Sequence, residues 1–114
     1  MAGFGYVDDA QFAQARARSL ATRGYGERRV AQSLRAAGVG EDDRAEVVPD
    51  EDEAWAAALT FARRRRIGPY ATSTPDPAER QKHFAAVLRA GHGVDVARRL
   101  LAADAAELPS DDGD

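Results

Sequence analysis

The stretch LRAAG at residues 34–38 recurs, one alanine shorter, as LRAG at residues 88–91. The leucine-arginine-alanine triplets are 54 positions apart. Earlier in the chain, Phe12 corresponds to Trp55 at an offset of 43, and GVG at 38–40 corresponds to GHG at 91–93. A unit of roughly 45–55 residues buries little surface alone, so repeated units are expected to stack. The sequence therefore predicts two copies of one structural unit.

Helix-start and helix-stop residues divide each copy into three helices. In the first copy the breaks are GYG at 24–26, Gly38 and Pro49. In the second copy Gly68-Pro69 ends one helix, and DPAE at 76–79 combines an N-cap, a proline at the first helical position and a glutamate at the third. The predicted helices cover residues 9–23, 27–37, 41–48, 51–66, 76–90 and 94–103.

The composition favours helices over sheets. Apolar residues make up 44% of the chain, and many of them are alanine, the best helix former and a poor strand former. We therefore predict an all-α fold, a tandem repeat of two three-helix units. The expected domains are residues 1–48, residues 49–103 and an acidic, disordered tail at 104–114. The side chains expected to be largely buried are Phe12, Leu20, Val30, Leu34, Trp55, Leu59, Phe84, Leu88, Leu100 and Leu101.

The chain has no cysteine, which excludes disulfides and thiolate metal sites and fits a reducing compartment. Its first residues, MAGFGYVDD, show neither the basic nor the apolar region of a signal peptide. No apolar run approaches the length that spans a membrane. These features predict a cytoplasmic protein.

Charge is strongly segregated along a chain whose net charge is only −3. Residues 10–37 carry six arginines and one acid, and residues 54–103 carry nine basic and three acidic residues. Acidic charge is concentrated at residues 41–53, with eight acids and one arginine, and in the tail. Such segregation produces strong local fields that can attract a charged partner. The alternative is that both signs only solvate alanine-rich helices.

Four consecutive arginines at residues 63–66 precede Ile-Gly-Pro. At 100° per residue, Arg64 points away from the apolar arc, Arg63 and Arg65 flank that arc, and Arg66 falls back on the apolar line. Positive charge at a helix C-terminus is favourable by about 0.3–1 kcal/mol for each side chain. This effect accounts for one or two of the four arginines, so we expect the others to meet an anionic partner.

The repeat predicts further basic residues on the same surface. Arg23 and Arg66 each lie eleven residues after the aromatic residue of their first helix. On the second helices, the charges of Arg28 and Arg35 match those of Lys82 and Arg89 at an offset of 54. Shared ancestry of the copies would also keep such charges without a function. The residues predicted to form a basic partner-binding surface are Arg23, Arg28, Arg35, Arg63, Arg64, Arg65, Lys82 and Arg89.

No sequence motif indicates an enzyme or a cofactor site. His83 and His92 are nine residues apart in different predicted elements, and His92 fits a Gly-His-Gly turn better than a metal site. Gly3-Phe4-Gly5 follows no strand, so it is not a dinucleotide-binding fingerprint. We therefore expect no catalytic residues, no cofactor and no metal.

Several of these segments resemble the RecX family. YVDDAQFA at 6–13, RGYG at 23–26, RRV at 28–30 and LRAAGV at 34–39 are similar to its middle repeat. FARRRRIGPY at 61–70, RQK at 80–82, LRAG at 88–91 and ARRLL at 97–101 are similar to its last repeat. The resemblance covers residues 4–103, and the basic run followed by Ile-Gly-Pro is its most specific part. Family members usually carry three repeats.

The resemblance implies a function that the residues alone do not reveal. It implies an elongated, curved molecule of tandem three-helix repeats, a non-enzymatic regulator of the RecA recombinase in DNA repair and the SOS response. Such a protein associates with the RecA–single-stranded DNA filament and mainly inhibits it. We expect it to act as a monomer, with possible direct contact to single-stranded DNA. The rival interpretation is a small helical DNA-binding protein that acts without RecA, although the acidic blocks would repel naked duplex.

Overall fold

The computed structural model describes residues 9–108, and every regular element in that range is helical. The six α-helices and two 3-10 turns are α1 (Asp9–Thr22), α2 (Glu27–Ala36), α3 (Glu41–Ala45), α4 (Glu51–Arg65), Gly68–Tyr70, α5 (Pro77–Arg89), α6 (Val94–Ala102) and Ala105–Glu107. Residues 9–108 contain no strand, so the predicted all-α class and its six helices are confirmed. Only α3 is clearly shorter than predicted, because the chain turns before Pro49 instead of continuing the helix.

Two of the helices begin at capping boxes. The Asp50 carboxylate accepts the backbone N–H of Glu53 at 2.8 Å, and the Glu53 carboxylate accepts that of Asp50 at 3.0 Å. Asp76 and Glu79 repeat this arrangement at 2.8 and 3.0 Å, with Pro77 as the first residue of α5. Each box satisfies two N–H groups that the helix itself leaves unpaired. The DPAE prediction is confirmed, whereas the corresponding start of α1 at Asp8 lies outside the described residues.

Each three-helix unit has its own small core. Leu20, Val30 and Leu34 centre the first core, and Leu59, Phe61, Val87 and Leu100 are among the buried residues of the second. Half of the ten residues predicted to be largely buried are buried: Leu20, Val30, Leu34, Leu59 and Leu100. The other five are only partly buried: Phe12, Trp55, Phe84, Leu88 and Leu101. Three helices enclose too little volume for every large side chain, so alanines share the centre with a few leucines and valines, and the remaining large side chains cover its edges.

The structure corrects the register of the second helices. Val39 N–H donates to the Leu34 carbonyl at 3.0 Å, and His92 N–H donates to the Val87 carbonyl at 3.3 Å. Gly38 and Gly91, with φ of 84° and 103°, close these two helix ends. Leu34 therefore corresponds to Val87, and the offset is 53 where the matched triplets predicted 54. The missing alanine in the second copy is the reason.

The offset between the first helices of the two units, α1 and α4, is also one residue smaller than predicted. Tyr25 N–H donates to the Leu20 carbonyl at 3.0 Å, and Ile67 N–H donates to the Ala62 carbonyl at 3.1 Å. Leu20 thus corresponds to Ala62, an offset of 42, and the equivalent of Trp55 is Ala13 and not Phe12. The two aromatic residues look alike in sequence but occupy different faces of their helices, because one residue changes the direction by 100°.

The molecule is elongated, measuring 51 × 34 × 19 Å. Its radius of gyration is 15.8 Å, against about 13 Å for a compact domain of this length. At the end of the described chain, the Asp104 carboxylate accepts the N–H of Ala106 at 2.9 Å, and Leu108 packs against the second core. Residues 104–108, the start of the predicted tail, thus include one helical turn, and Leu108 packs on the second core. Residues 109–114 lie outside the described range.

Candidate functional site

The arginine run occupies the last turn of α4. Arg63, Arg64 and Arg65 are exposed there, where they complement the helix dipole. Arg66 follows the helix in a left-handed conformation, with φ 58° and ψ 49°. The predicted direction of Arg66 along the apolar line is wrong, because the helix has already ended and this side chain is exposed. All four guanidinium groups therefore surround the helix end.

The Ile-Gly-Pro sequence anchors this helix end in the second core. Ile67 is buried, and Pro69 behind it is buried as well. Gly68 has φ 59°, and a Cβ at this position would lie 2.6 Å from the Leu100 carbonyl oxygen. Such a close approach to α6 requires glycine. The exposed arginines thus extend from a fixed, buried support.

Several arginines lie over aromatic rings. The Arg65 guanidinium is 5.1 Å from the Phe61 ring centre, and Arg99 is 3.8 Å from Trp55. Arg23 and Arg29 approach the same ring of Tyr25 at 5.7 and 4.6 Å. Cation–π contacts of this kind contribute about 0.5–1 kcal/mol at exposed sites. Arg23 and Arg65 therefore have a structural contact in addition to their charge.

The two units are joined where the end of α5 meets the start of α2. Gly26 N–H donates to the Ala90 carbonyl at 2.9 Å, and Arg28 N–H donates to the Gly91 carbonyl at 3.0 Å. Gly26 is the N-cap residue of α2 and has no side chain to accept these bonds. Carbonyl groups of the second unit therefore replace the capping side chain of the first, and the negative end of the α5 dipole meets the positive end of the α2 dipole.

Two glycines allow the backbones to approach at this junction. A Cβ on Gly26 would lie 2.5 Å from the Gly91 carbonyl carbon, and a Cβ on Gly91 would lie 2.5 Å from the Arg29 nitrogen. Distances below 3.0 Å are not tolerated between backbone atoms and a real Cβ. The Gly-Tyr-Gly and Gly-His-Gly turns, predicted only as helix breaks, are thus the interface between the units.

His92 adds a side-chain contact to this interface. It is 97% buried, and its Nε2 donates to the Gly24 carbonyl at 2.9 Å. Burial lowers the pKa of His92 below its ordinary value, while the bond to the Gly24 carbonyl acts in the opposite direction. The Phe61 ring packs 5.9 Å away, centre to centre. The predicted position of His92 in a turn is correct, but its contact with the first unit was not predicted.

The junction arranges four of the candidate cations along two helices. Arg89 lies in the last turn of α5 and Arg28 in the first turn of α2, on either side of the joined ends. Lys82 lies seven residues before Arg89, and Arg35 lies seven residues after Arg28, about 10 Å along each helix axis. All four are exposed, as are Arg23 and the arginines of α4.

The corrected register changes which charges are equivalent between the units. Arg29 corresponds to Lys82, and Arg23 corresponds to Arg65. The other proposed matches do not hold, because Arg28, Arg35 and Arg89 correspond to Gln81, Leu88 and Ala36. Arg29 was absent from the candidate set, although its position beside Arg28 and the equivalence with Lys82 could have identified it.

Residues 9–108 contain no cluster of three or more metal-binding side chains. Within the same range, no helix is both long and apolar enough to cross a bilayer.

Comparison with known proteins gives consistent matches. Residues 8–48 match the profile of the second three-helix domain of RecX. The regulatory protein RecX of Agrobacterium fabrum is 30% identical over 100 residues, covering 88% of this chain and 54% of the relative. The RecX protein of Myxococcus xanthus is 35% identical over 101 residues, covering 85% of this chain and 54% of the relative. The RecX protein of Halorhodospira halophila is 35% identical over 99 residues, covering 87% of this chain and 60% of the relative.

The chain spans little more than half the length of these relatives, with 54 to 60% of each covered. No solved structure shows significant similarity to it.

Proposed function

The chain belongs to the RecX family of regulatory proteins, and from this membership we propose that it binds RecA–single-stranded DNA filaments and mainly inhibits them. It does so without catalysing a reaction, as a cytoplasmic monomer in DNA repair and the SOS response. Residues 1–48 and 49–103 are its two repeats, followed by an acidic tail at residues 104–114. The filament is a polyanion, so its chemistry matches that of the exposed arginines.

The observation that carries this proposal is the exposed cation set on a rigid two-unit body. Eight basic residues of the candidate surface are exposed: Arg23, Arg28, Arg35, Arg63, Arg64, Arg65, Lys82 and Arg89. Hydrogen bonds between backbones join the two units, so the helices that carry these charges are held in one arrangement. A rigid array of cations recognises a regular array of phosphates or carboxylates better than a flexible tail, because less entropy is lost on binding.

The deciding experiment follows ATP hydrolysis by a bacterial RecA on single-stranded DNA while this protein is added. We expect the hydrolysis rate to fall as its concentration rises, at concentrations where the protein sediments with the filament. No change in rate and no co-sedimentation would contradict the proposal.

A second measurement separates this function from that of an independent DNA-binding protein. Binding to RecA filaments and to naked duplex DNA is compared at the same salt concentration, because phosphate contacts are strongly salt-dependent. We expect much tighter binding to the filament, since the acidic segment at 41–53 repels a bare duplex. Equal affinities would favour the independent DNA-binding protein.

A further inference from the structure

The acidic segment at residues 41–53 has no role in an arginine-mediated contact with phosphates. It carries eight carboxylates and one arginine, and Val48 lies within it. Val48 has 54% of its surface exposed, and among the described residues only Val94, at 37%, is a comparably exposed large aliphatic side chain. A single exposed valine is ordinary by itself, so the surface that adjoins Val48 decides whether this segment is a candidate contact surface.

Two adjoining cavities open beside Val48. The larger, about 660 Å³, lies between α1 and α4, and the smaller, about 210 Å³, lies between α2 and α3. Their walls share five residues: Glu27, Val30, Val47, Val48 and Pro49. We call this combined surface the Val48 groove. Alanines of α1 and α4 form much of its remaining floor, including Ala17, Ala21 and Ala57. The larger cavity alone has the volume of a typical ligand pocket, sufficient for several side chains.

The rim of the Val48 groove is negative near Val48. The acids that line it are Glu27, Glu41, Glu46 and Glu53. Arg44 also lines the smaller cavity, where its guanidinium donates to the Val39 carbonyl at 2.7 Å, and Arg18 lines the larger one. Arg63 also lines the groove, ten residues along α4 from Glu53 and so about 15 Å away. The four carboxylates outnumber Arg44, so the Val48 end of the groove is negative, while Arg63 adds positive charge farther along α4.

This charge distribution selects among occupants. Phosphates are repelled by carboxylates at the Val48 end, so a nucleic acid does not fit there. An apolar side chain flanked by lysine or arginine fits both the floor and the rim, because its cation meets a carboxylate while its apolar group covers Val48.

We propose that the Val48 groove binds a segment of a partner protein that presents an apolar side chain beside a lysine or arginine. This inference rests on the proposed function and assigns the two components of the filament to different surfaces. The RecA protein contacts the Val48 groove, and the phosphates contact the arginines of α4 and the junction. The acidic and basic segments of one small chain then bind the same assembly at once.

Site-specific crosslinking tests this assignment directly. The chain has no cysteine, so Val48→Cys carries a single benzophenone label, and Val94→Cys is the matched control on the other exposed valine. Each labelled protein is mixed with RecA-coated single-stranded DNA and irradiated, and thermal melts verify that both variants fold. We expect the label at residue 48 to crosslink to RecA protein at a much higher yield than the label at residue 94.

Four results would overturn the proposal: adducts of residue 48 with DNA, adducts with a second copy of this chain, equal yields from both positions, or no adduct while the protein still binds the filament. If the unlabelled wild-type protein does not bind the filament at all, the proposed function is refuted, and this inference with it. The two failures are therefore distinguishable.

A pair of substitutions provides an independent measurement. Val48→Ser with Glu46→Lys removes the apolar contact and reverses a rim charge, whereas Val94→Ser with Asp95→Lys makes the same change on α6. We expect the first pair to weaken filament binding at least about fivefold and the second to change it less than about twofold. Equal effects of the two pairs would contradict a role of the Val48 groove.

Discussion

His92 Nε2 donates a hydrogen bond to the carbonyl oxygen of Gly24, 68 positions earlier in the chain, at 2.9 Å. This bond crosses between two units that each have their own core. With the backbone bonds of Gly26 and Arg28, it forms a polar interface in which the second unit completes the first. The two repeats are therefore expected to unfold together.

Replacing Gly26 by alanine should separate the units. The new Cβ would lie 2.5 Å from the Gly91 carbonyl carbon, so the junction must open or shift. We expect a loss of at least about 2 kcal/mol in the free energy of unfolding, measured with urea. Gly40→Ala is the matched control, because Gly40 is also an N-cap glycine and a Cβ there meets nothing within 4 Å. Equal losses would show that close approach at the junction is unimportant.

His92 should make stability depend on pH. Burial lowers its pKa below the ordinary value of 6.5, so the unfolded chain takes up a proton at a higher pH than the folded protein does. The free energy of unfolding should therefore decrease as the pH falls from about 7.5 to about 5.5. His92→Gln keeps a hydrogen-bond donor but does not titrate, so its decrease should be smaller. Identical pH profiles for both proteins would contradict this role.

Replacing Arg63, Arg64 and Arg65 by alanine should affect binding far more than folding. Loss of helix-end charge should cost at most about 1–2 kcal/mol of stability. Filament affinity should fall substantially, and its dependence on salt should flatten by about one unit of slope for each lost phosphate contact. Arg80→Ala with Arg98→Ala is the control, since both are exposed and lie outside the candidate set. Unchanged binding with a large drop in melting temperature would show a purely structural role.

Arg99 should stabilise the second unit through Trp55. Its guanidinium lies 3.8 Å from the centre of the ring of the only tryptophan. Arg99→Ala should lower the free energy of unfolding by about 0.5–2 kcal/mol and alter the fluorescence of Trp55. Arg98→Ala, at the exposed neighbouring position, should change neither property by a comparable amount. Equal spectra for Arg99→Ala and wild type would argue against the contact.

Local sequence patterns predicted most of the fold. Helix starts at Asp50 and Asp76 are encoded in short capping motifs, and helix ends at Gly38 and Gly91 follow from the positive φ that glycine allows. The repeat was recognisable because these capping motifs and glycines divide both copies into helices at corresponding places. The predicted offset between the two copies was one residue too large. Alanine-rich helices offer few distinctive side chains, so the prediction aligned identical triplets and not identical helix ends.

The junction could not be predicted from the pattern of side chains. Its bonds join backbone groups of Gly26 and Arg28 to carbonyls of Ala90 and Gly91, and a backbone bond leaves no signature in residue type beyond the small size of glycine. The candidate cations are exposed, and their role in binding stays a prediction. The contacts of Arg23 and Arg65 with aromatic rings depend on rotamers, which the sequence does not specify.

The order of the helices in space has a consequence for synthesis. Gly26 and Arg28 leave the ribosome long before Ala90 and Gly91, the residues whose carbonyls accept their N–H groups. Until then the start of α2 lacks its cap, so the first unit emerges with an unfinished helix end. The nascent chain should therefore acquire its full protection from proteases in one late step, after the second unit has been translated, and not unit by unit.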